Sequence, residues 1–401
     1  MMLLMSVRAH VFVVDRFSYP VHRSKCFCGV KNPHNEDMRN RVYADLFAIR
    51  KGDIVFFYQR RIDEPPEERG FRGIFRVISE PFIDATDVGW SGNLVLGKCP
   101  HCQAEFSELD DASCPACGGK VGWLSIGRKK VITQHILPNR VLIEPLEYFE
   151  KPIDDNTAYV NRLNEGTIWS MLFRKIYGPG RERSINQILP EEAVKLRRLL
   201  YKKNGGRRAS FGRKPYKPVV KRQIELELGE GGKVPYESVL QAWIMKNIDK
   251  GIPIFSDFVP TKNLEYWGNW VTYGIGGESV DILVLYKDKV RYKAVPIELK
   301  RERIDVNTIK QMYRYAYWMA QFSTAYAKPP VKSLILQPIC IGFRVSSSAI
   351  NEVREIREEI LDIPYPENSC KVVVEPPILL TYNVSDDKIE FQEGDCQNNE
   401  K

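Results

Sequence analysis

The chain has 401 residues, of which 43% are hydrophobic, and this length and composition suit two or three domains with ordinary cores. No stretch approaches the roughly twenty consecutive apolar residues of a membrane-spanning helix, and the opening MMLLMSV lacks the basic region of a secretion signal. The formal net charge is +8, and the nine cysteines are an odd number. Composition therefore argues against a helical membrane protein and against a secreted disulfide framework. We expect a soluble, cytoplasmic protein.

Four β-rich runs lie in the N-terminal half. They are VFVVD from Val11, DIVFFYQ from Asp53, GIFRVIS from Gly73 and RVLIEPL from Arg140. Each combines β-branched and aromatic residues and is bounded by turn residues, which predicts strands. Lys51-Gly52-Asp53 predicts a tight turn before the second run, and Pro190-Glu191-Glu192 predicts the start of a helix.

Three segments of this half resemble the PUA-like superfamily, particularly its YTH and EVE branch. They are SYPVHRS from Ser18, FRGIFRVISEPFIDATDVGW from Phe71 and LPNRVLIEPLEYF from Leu137. The resemblance implies a β-barrel that reads a modified nucleobase in an aromatic-lined pocket. By carry-over, Ser24 would lie beside that pocket and Trp90 would form one wall, although Trp90 could equally be a packing residue. The family's first pocket tryptophan aligns near Val30, so the modified base, if any, stays open.

Four cysteines follow the spacing C-x2-C-x11-C-x2-C: Cys99, Cys102, Cys114 and Cys117. This pattern is typical of a structural zinc ribbon, in which four thiolates close a tetrahedral coordination sphere. We therefore expect a ribbon inserted at residues 98–120, with disulfide-like pairs or free thiols as the alternatives. His22, Cys26, Cys28 and His34 are candidates for a second metal site, but their spacing is poor.

The segment from Arg197 to Arg222 contains eleven Lys or Arg residues and no Asp or Glu. Its Gly and Pro residues predict a linker at 201–230 rather than a helix. Interleaved cations and aromatic rings favour nucleic-acid binding, because cations neutralise phosphates and rings stack on bases. The candidate backbone contacts are Arg207, Arg208, Arg213 and Lys214, and the candidate stacking rings are Tyr201, Phe211 and Tyr216. The alternative is a merely solvated linker.

Two apolar runs joined by a short polar turn predict a β-hairpin: GGESVDILVLY from Gly276 and VRYKAVPIELKRERID from Val290. Residues two apart share one face of a strand, so Glu298 and Lys300 point the same way, and Asp281 on the neighbouring strand can face them. Pro296 cannot donate a ladder hydrogen bond, which predicts a bulge or an edge in its strand.

These residue types suit metal-assisted phosphodiester chemistry. Carboxylates are the hard ligands that Mg²⁺ prefers, and a lysine adds positive charge where a transition state becomes negative. Two amphipathic patterns flank the hairpin. The first, YESVLQAWIMKNI from Tyr236, has Glu237 near its start. The second, VNTIKQMYRYAYWMAQF from Val306, places Gln311 and Tyr315 on one helical face.

The ordered set of an acid on a helix, an Asp, an E-x-K and a Q-x-x-x-Y resembles the PD-(D/E)XK nuclease superfamily in its RecB-like branch, over residues 230–345. The resemblance implies a mixed sheet flanked by helices and one or two divalent metals. By carry-over, Asp281 and Glu298 would bind Mg²⁺ or Mn²⁺, Lys300 would be the catalytic lysine, Glu237 a supporting acid and Gln311 a DNA-orienting residue. The alternative for the E-x-K is an ion pair at a solvated strand end.

The sequence thus predicts a multidomain α+β protein: a PUA-like domain at 1–200 with the zinc ribbon at 98–120, the basic linker at 201–230, an α/β nuclease domain at 231–384 and an acidic polar tail at 385–401. The predicted activity is Mg-dependent, modification-dependent endonuclease cleavage of base-modified duplex DNA by a homodimer. One alternative is a repair nuclease acting on branched, damaged or single-stranded DNA. Another is a non-catalytic RNA-binding protein with a degenerate nuclease scaffold.

Overall fold

The computed structural model describes residues 8–59, 69–86, 88, 99, 101–104, 113–126, 129–132, 136–161, 183–219, 221–273, 278–288, 291–323, 333–364, 369–385 and 388–394. The chain divides into two compact units. The N-terminal unit contains Ala9–Ala158 and Leu196–Glu225, and the C-terminal unit contains the described residues of Met1–Arg8, Tyr159–Lys195 and Leu226–Lys401. Both units mix strands and helices, as the α+β prediction requires. Their bounds differ from the predicted domains, because 159–195 groups with the C-terminal unit.

The first part of the chain contains eight strands and three helices in its described residues. They are β1 (Ala9–Val14), α1 (Ser18–Lys25), β2 (Phe27–Val30), α2 (Glu36–Phe47), β3 (Ile54–Gln59), β4 (Gly70–Val77), β5 (Phe82–Asp84), β6 (Trp123–Ile126), β7 (Lys129–Ile132), β8 (Asn139–Pro145) and α3 (Asp155–Val160). The four β-rich runs form β1, β3, β4 and β8, which confirms the strand predictions. Gly52 adopts a φ of 98° in the predicted tight turn before β3, a conformation that glycine tolerates best.

The second part contains the remaining described elements. They are β9 (Ile185–Ile188), α4 (Pro190–Lys203), β10 (Lys221–Arg222), α5 (Glu237–Asn247), α6 (Phe255–Phe258), β11 (Leu264–Tyr273), β12 (Glu278–Asp288), β13 (Arg291–Ile304), α7 (Val306–Ser323), β14 (Ser333–Leu336), β15 (Ile339–Val345), α8 (Ser347–Glu355), β16 (Glu359–Pro364), β17 (Ser369–Val374), β18 (Ile378–Ser385) and β19 (Lys388–Glu393). Helix α4 begins at Pro190 as predicted, and the Glu192 carboxylate accepts a hydrogen bond from the Leu189 amide at 2.9 Å. No helix in the described ranges is both long and apolar enough to cross a membrane.

The sheet of the N-terminal unit has the order β10-β5-β8-β4-β3-β1, with β2 also paired to β8. Strands β1 and β3 are parallel, and the other pairs are antiparallel. Strand β8 pairs with β2, β4 and β5 and is therefore the hub of this sheet. A closed β-barrel stays a prediction.

Aromatic rings fill the core of this unit. The Phe57 ring contacts Phe12, Tyr19, His22 and Phe75 with centroid separations of 5.3–6.4 Å. His22 is 1% exposed, and its Nδ1 is 3.1 Å from the Phe27 carbonyl oxygen. Within the described residues, His22, Cys26, Cys28 and His34 do not assemble into a metal-ligand cluster. His22 is a core residue.

The basic segment, Arg197–Arg222, is not a free linker in the structure. Its first residues, up to Lys203, form the end of helix α4. The extended residues that follow pack on the N-terminal unit. The Lys214 amide donates to the Ser24 carbonyl at 2.8 Å, and the Tyr216 amide donates to the Lys25 carbonyl at 3.2 Å. Strand β10 pairs with β5. The predicted linker at 201–230 is corrected accordingly, because the backbone groups of its first half bond to the N-terminal unit.

Two predicted stacking rings of the basic segment lie against the protein. The ring centroids of Phe211 and Tyr148 are 4.7 Å apart, and those of Tyr216 and Phe27 are 5.4 Å apart. The guanidinium of Arg140 is fully buried, lies 4.9 Å from the Tyr216 ring centroid and pairs with Asp84 at 3.2 Å. These contacts anchor the segment and cover part of both rings, whereas the third predicted stacking ring, Tyr201, is 50% exposed.

The C-terminal unit is built on a sheet with the order β16-β17-β14-β13-β15-β18-β19, and β12 joins β13 and β11. Strand β13 is antiparallel to β12 and parallel to β14 and β15. This mixed sheet includes the predicted hairpin as β12 and β13. The apolar face of α7 packs on the sheet, with Met319 and Ala320 in one buried cluster and Met312 and Tyr315 in another.

Pro296 does not cause the predicted bulge or edge. The β12–β13 register runs without a shift through Leu283↔Pro296, and β13 is an interior strand. On its other side, pairing with β14 ends at Ala294 and pairing with β15 begins at Ile297. Proline's missing N–H therefore falls where β13 changes neighbours, which is why the sheet accepts it.

The predicted acidic tail at 385–401 also needs correction. Its first part forms β19, which pairs antiparallel with β18. Ile389 and Phe391 are buried while Lys388, Glu390 and Gln392 are exposed, which is the alternation of a half-buried strand. The Phe391 ring lies 5.5 Å from Phe255. Burial of two apolar residues outweighs the polar composition of this segment.

Burial of His22 predicts a pH-dependent stability of the N-terminal unit. Burial lowers the pKa of His22 from 6.5 to about 4, and the nearby Arg140 acts in the same direction. The unfolded chain then binds more protons than the folded chain between these values, so stability is lost as the pH falls from about 6.5 to about 4. Between pH 7 and pH 5 the loss is about 2 kcal/mol.

Hydrogen exchange of peptides covering residues 18–30, corrected for intrinsic rates, measures this loss. The His22→Gln variant should show a much smaller difference between the two pH values, while His34→Gln should behave like the wild type. Equal pH dependence in His22→Gln and the wild type would contradict the assignment.

Candidate functional site

An acid and lysine cluster lies at the centre of the C-terminal sheet. Glu298 and Lys300 are two apart on β13, and the Lys300 Nζ is 2.6 Å from the Glu298 Oε1. Leu299 between them is fully buried on the opposite face. Asp281 on β12 reaches the same place, because its Oδ2 accepts a hydrogen bond from the Leu299 amide at 2.8 Å. The structure therefore brings the three predicted residues together.

The two carboxylates differ in how they are satisfied. Glu298 is 3% exposed, and within the described part of the chain its Oε2 is buried without a hydrogen-bond partner. Asp281 is half-buried. A buried carboxylate oxygen without a partner is costly, so such atoms in folded proteins call for a specific explanation.

The electrostatics follow from two acids sharing one ammonium. Burial raises the pKa of Asp281 well above its usual range, and the charges of Glu298 and Glu237 raise it further. Burial also raises the pKa of Glu298, against the lowering effect of Lys300. Burial alone would lower the pKa of Lys300, but the Glu298 carboxylate outweighs it and the pKa is raised. Lys300 therefore stays charged, while the raised pKa values of the two carboxyl groups favour their neutral forms unless a further cation is bound.

The two flanking helices bring the remaining predicted residues to this region. Glu237 is the first residue of α5, and its charge raises the pKa of both Asp281 and Lys300. On α7, the Gln311 side-chain amide donates to the Tyr315 hydroxyl, which donates to the Ser279 carbonyl at 3.1 Å. Ser279 is two residues from Asp281 on β12. Gln311 is partly exposed.

Sequence reasoning missed Gln241 and Trp270. The Gln241 side chain, 2% exposed on α5, donates to the Asp281 carbonyl oxygen at 2.8 Å and accepts a hydrogen bond from the Trp270 indole N–H at 3.1 Å. Gln241 follows Glu237 by four residues and so lies on the same helical face, a spacing visible in the sequence.

The second candidate site is the predicted zinc centre in the N-terminal unit. The ligand atoms of Cys99, Cys102, Cys114 and Cys117 all lie within 4.8 Å of one another. The Cys99 and Cys117 sulfurs are 3.7 Å apart, and the Cys102 and Cys114 sulfurs are 3.8 Å apart. Tetrahedral Zn–S bonds of about 2.3 Å require sulfur separations of about 3.8 Å. The cluster therefore could bind zinc.

The two cysteine pairs have matching backbone geometry. In the first, the His101 amide is 3.3 Å from the Cys99 sulfur, and in the second the Ala116 amide is 3.4 Å from the Cys114 sulfur. Gln103 and Gly118 close the two turns with φ values of 63° and 67°. Amides aimed at sulfur favour the thiolate that binds a metal.

Residues around the cysteines are consistent with a closed structural site. The His101 Nε2 is 2.9 Å from the Lys120 carbonyl oxygen, so this histidine has a partner outside the cluster. A Cβ at Gly119 would lie 2.8 Å from the His101 ring and 3.2 Å from the Cys117 sulfur, which excludes a side chain there. Val121 and Trp123 pack against Cys99 and Cys114.

The predicted base-reading residues are only partly covered by the described residues. Ser24 is half-buried near the end of α1, and its hydroxyl lies 3.4 Å from the Val21 carbonyl oxygen. Val30 is 4% exposed in β2. Trp90 lies outside the described residues.

The predicted backbone-contacting cations are exposed but not equivalent. Arg207, Arg213 and Lys214 point into solvent. The Arg208 guanidinium is 2.5 Å from Oε1 of Glu147. The other carboxylate oxygen of Glu147, Oε2, is 2.6 Å from the Arg197 guanidinium. Arg208 therefore has an internal partner that a phosphate would have to replace.

The cysteine geometry predicts one zinc ion per chain. We expect Cys102→Ser to lose the zinc, because three thiolates leave the coordination sphere open. Metal content by mass spectrometry of purified protein measures this, with Cys396→Ser as the matched control that retains zinc. Zinc-free wild-type protein, or full zinc occupancy in Cys102→Ser, would contradict the assignment.

No protein-family model matches this sequence, and neither does any curated protein. Three solved structures are each similar to 48% of the chain. One is a crystal structure of a protein from Pseudomonas putida, at 13% identity, 98% coverage of that chain and a TM-score of 0.28. Another is the human THYN1 protein in complex with DNA containing 5-methylcytosine, at 14% identity, 97% coverage and a TM-score of 0.27. The third is the DUF55 domain of human thymocyte nuclear protein 1, at 13% identity, 98% coverage and a TM-score of 0.27.

Proposed function

We propose that the C-terminal unit is a divalent-metal-dependent deoxyribonuclease whose active site contains Asp281, Glu298 and Lys300. The observation that carries this proposal is the buried Glu298 Oε2 without a hydrogen-bond partner in the described residues, beside a second carboxylate and a charged lysine. An ion pair at a solvated strand end, the alternative for this motif, does not account for an acid that is 3% exposed.

The donor set fits Mg²⁺ or Mn²⁺. Both carboxylates offer hard oxygen ligands, and their raised pKa values reflect burial and, for Asp281, mutual repulsion that a bound cation would relieve. When bound, the cation would acidify a water molecule and offset the charge on the phosphate.

The chain's own residues have distinct parts in hydrolysis, in which a water oxygen forms a bond to phosphorus and a phosphorus–oxygen bond of the backbone breaks. Asp281 and Glu298 would hold the cation. Lys300, kept charged by Glu298, stabilises the negative charge that develops on the phosphate oxygens. Glu237 would add a supporting acid, and Gln311 would orient DNA, as the nuclease resemblance implies.

We further propose that the N-terminal unit reads a modified base, which makes the cleavage modification-dependent. The support is the PUA-like pattern around Ser24 and Trp90, together with the exposed cations of the basic segment. A duplex-binding surface needs cations that neutralise phosphates, and Arg207, Arg213 and Lys214 supply them. Cutting both strands takes two active sites, so we propose a homodimer on DNA.

The packing of the basic segment argues against the single-strand alternative. That alternative relied on aromatic rings interleaved with cations, yet Phe211 packs on Tyr148 and Tyr216 packs on Phe27. The RNA-binding alternative requires a degenerate site, whereas all three residues of the acid and lysine cluster are present and in contact. Duplex DNA is therefore the form of substrate that these contacts favour, and the modified base rests on the PUA-like pattern alone.

Cleavage of a duplex panel carrying different base modifications, with Mg²⁺ or Mn²⁺, tests the proposal. We expect one modified duplex to be cut preferentially. Asp281→Asn and Glu298→Gln should each lower the cleavage rate at least 100-fold, because each removes a ligand charge. Glu302→Gln is the matched control, since Glu302 lies on the same strand but is exposed and pairs with Lys233 at 2.8 Å.

Equal cleavage of modified and unmodified duplex would remove the modified-base part and leave the nuclease part. Cleavage that persists in both Asp281→Asn and Glu298→Gln would contradict the active site.

The basic segment predicts a specific salt dependence of DNA binding. Arg213→Ala should reduce the slope of log affinity against log salt by about one, because one phosphate contact is lost. Arg208→Ala should reduce it less, since Glu147 already pairs with that guanidinium. Fluorescence anisotropy with a labelled duplex between about 50 and 200 mM salt measures both slopes. Unchanged slopes in both variants would exclude the segment from the DNA interface.

A further inference from the structure

The β-sheet is locally interrupted at Asp281. On one side of β12, the ladder with β11 passes from Asn269↔Ile282 to Val271↔Val280 and skips the position of Trp270 opposite Asp281. Trp270 has a φ of 53°, in the left-handed region that a bulky residue rarely adopts. On the other side, the ladder with β13 begins only at Ile282↔Ile297. Asp281 thus lies just beyond the end of the β12–β13 ladder and at a single skipped pair in the β12–β11 ladder, which resumes in the same register at Val280.

Side chains bridge both interruptions. Toward β13, the Asp281 carboxylate replaces a main-chain acceptor: its Oδ2 accepts a hydrogen bond from the Leu299 amide, with an N–O distance of 2.8 Å. Toward β11, the Asp281 carbonyl oxygen receives a hydrogen bond from the Gln241 side-chain amide at 2.8 Å. The other end of that amide, Oε1, accepts the indole N–H of Trp270 at 3.1 Å. Asp281 is therefore fixed through its backbone and through one carboxylate oxygen.

This arrangement has a chemical consequence for the second carboxylate oxygen. With Oδ2 committed to Leu299, metal binding by Asp281 depends on the direction of Oδ1, which the position of the backbone sets. Hydrogen bonds to neighbouring strands usually fix the position of a strand residue. At the skipped pair, the buried Gln241 and the left-handed Trp270 supply the contacts that fix Asp281. Strained backbone conformations of this kind persist where the surrounding structure holds them.

We propose that Gln241 and Trp270 are positioning residues that orient Asp281 for the divalent metal. The inference rests on the proposed function, because it assumes that Asp281 is a metal ligand. Gln241 fixes the Asp281 carbonyl, and Trp270 fixes the rotamer of Gln241 by occupying its oxygen. Outer groups that orient metal ligands commonly change metal affinity 10–100-fold when they are removed.

Direct Mn²⁺ binding to the zinc-loaded full chain tests the inference without relying on cleavage. Electron paramagnetic resonance measures free Mn²⁺ in a titration, and the Asp281→Ala variant defines the binding that belongs to this site. Gln241→Met keeps the size of the side chain but removes its amide, and we expect its Mn²⁺ affinity to fall 10–100-fold. Trp270→Phe removes the indole N–H and should weaken binding in the same direction by a smaller factor.

Gln337→Met is the matched control. Gln337 is also a buried glutamine of the C-terminal unit that donates to a main-chain carbonyl, that of Pro376 at 2.9 Å. Gln337→Met loses one such bond, and Gln241→Met loses one and also the bond from Trp270, so both should lower the melting temperature, but Gln337→Met should keep wild-type Mn²⁺ affinity.

Two other outcomes would overturn the inference in different ways. Wild-type affinity in both Gln241→Met and Trp270→Phe would reduce the pair to a structural role and leave the proposed nuclease intact. Absence of Mn²⁺ binding that depends on Asp281 in the wild type would overturn the proposed function, and the positioning role with it.

Discussion

Two carboxyl groups and one ammonium share a buried place on the central strands of the C-terminal unit, and the proposed function depends on this arrangement. Burial raises the pKa of Asp281 and of Glu298, and a single lysine satisfies one oxygen of Glu298. Burial therefore favours the neutral form of each carboxyl group, and ionising both of them requires a further positive charge nearby. A divalent cation is the natural counter-charge, since it would take the oxygen that hydrogen bonds leave unsatisfied.

The sequence predicts the central features of this site because they depend on short-range rules. Strand alternation places Glu298 and Lys300 together, and helical periodicity places Gln311 beside Tyr315. It does not predict the effect of Pro296, because the change of neighbour from β14 to β15 depends on residues far away in the chain. Gln241 is missed for a similar reason, since its role appears only when α5 is packed against β12 and β11.

The same limit explains the basic segment. Its composition predicts a basic interdomain linker, and nothing local indicates that the Tyr216 ring would contact the buried Arg140 or that the Lys214 amide would bond to the Ser24 carbonyl. Long-range contacts therefore decide the conformation of this segment, although its glycine, proline and charge content favours a free linker. By contrast, the approach of the four cysteines to one another is predicted in full, because their spacing encodes two turns that each carry two thiols. The strand at Lys388–Glu393 has the alternating apolar residues that predict a half-buried strand. The acidic and polar composition of the surrounding residues instead favours a polar tail.

Diffraction at the manganese absorption edge, from crystals soaked in Mn²⁺, determines whether the carboxylates of Asp281 and Glu298 bind a divalent cation. We expect an anomalous peak within ligand distance, about 2.2 Å, of carboxylate oxygens of both Asp281 and Glu298. The peak should be absent from crystals of Asp281→Ala treated in the same way. A saturated soak with no peak at these carboxylates in the wild type would contradict the assignment of this cluster as a metal-dependent active site.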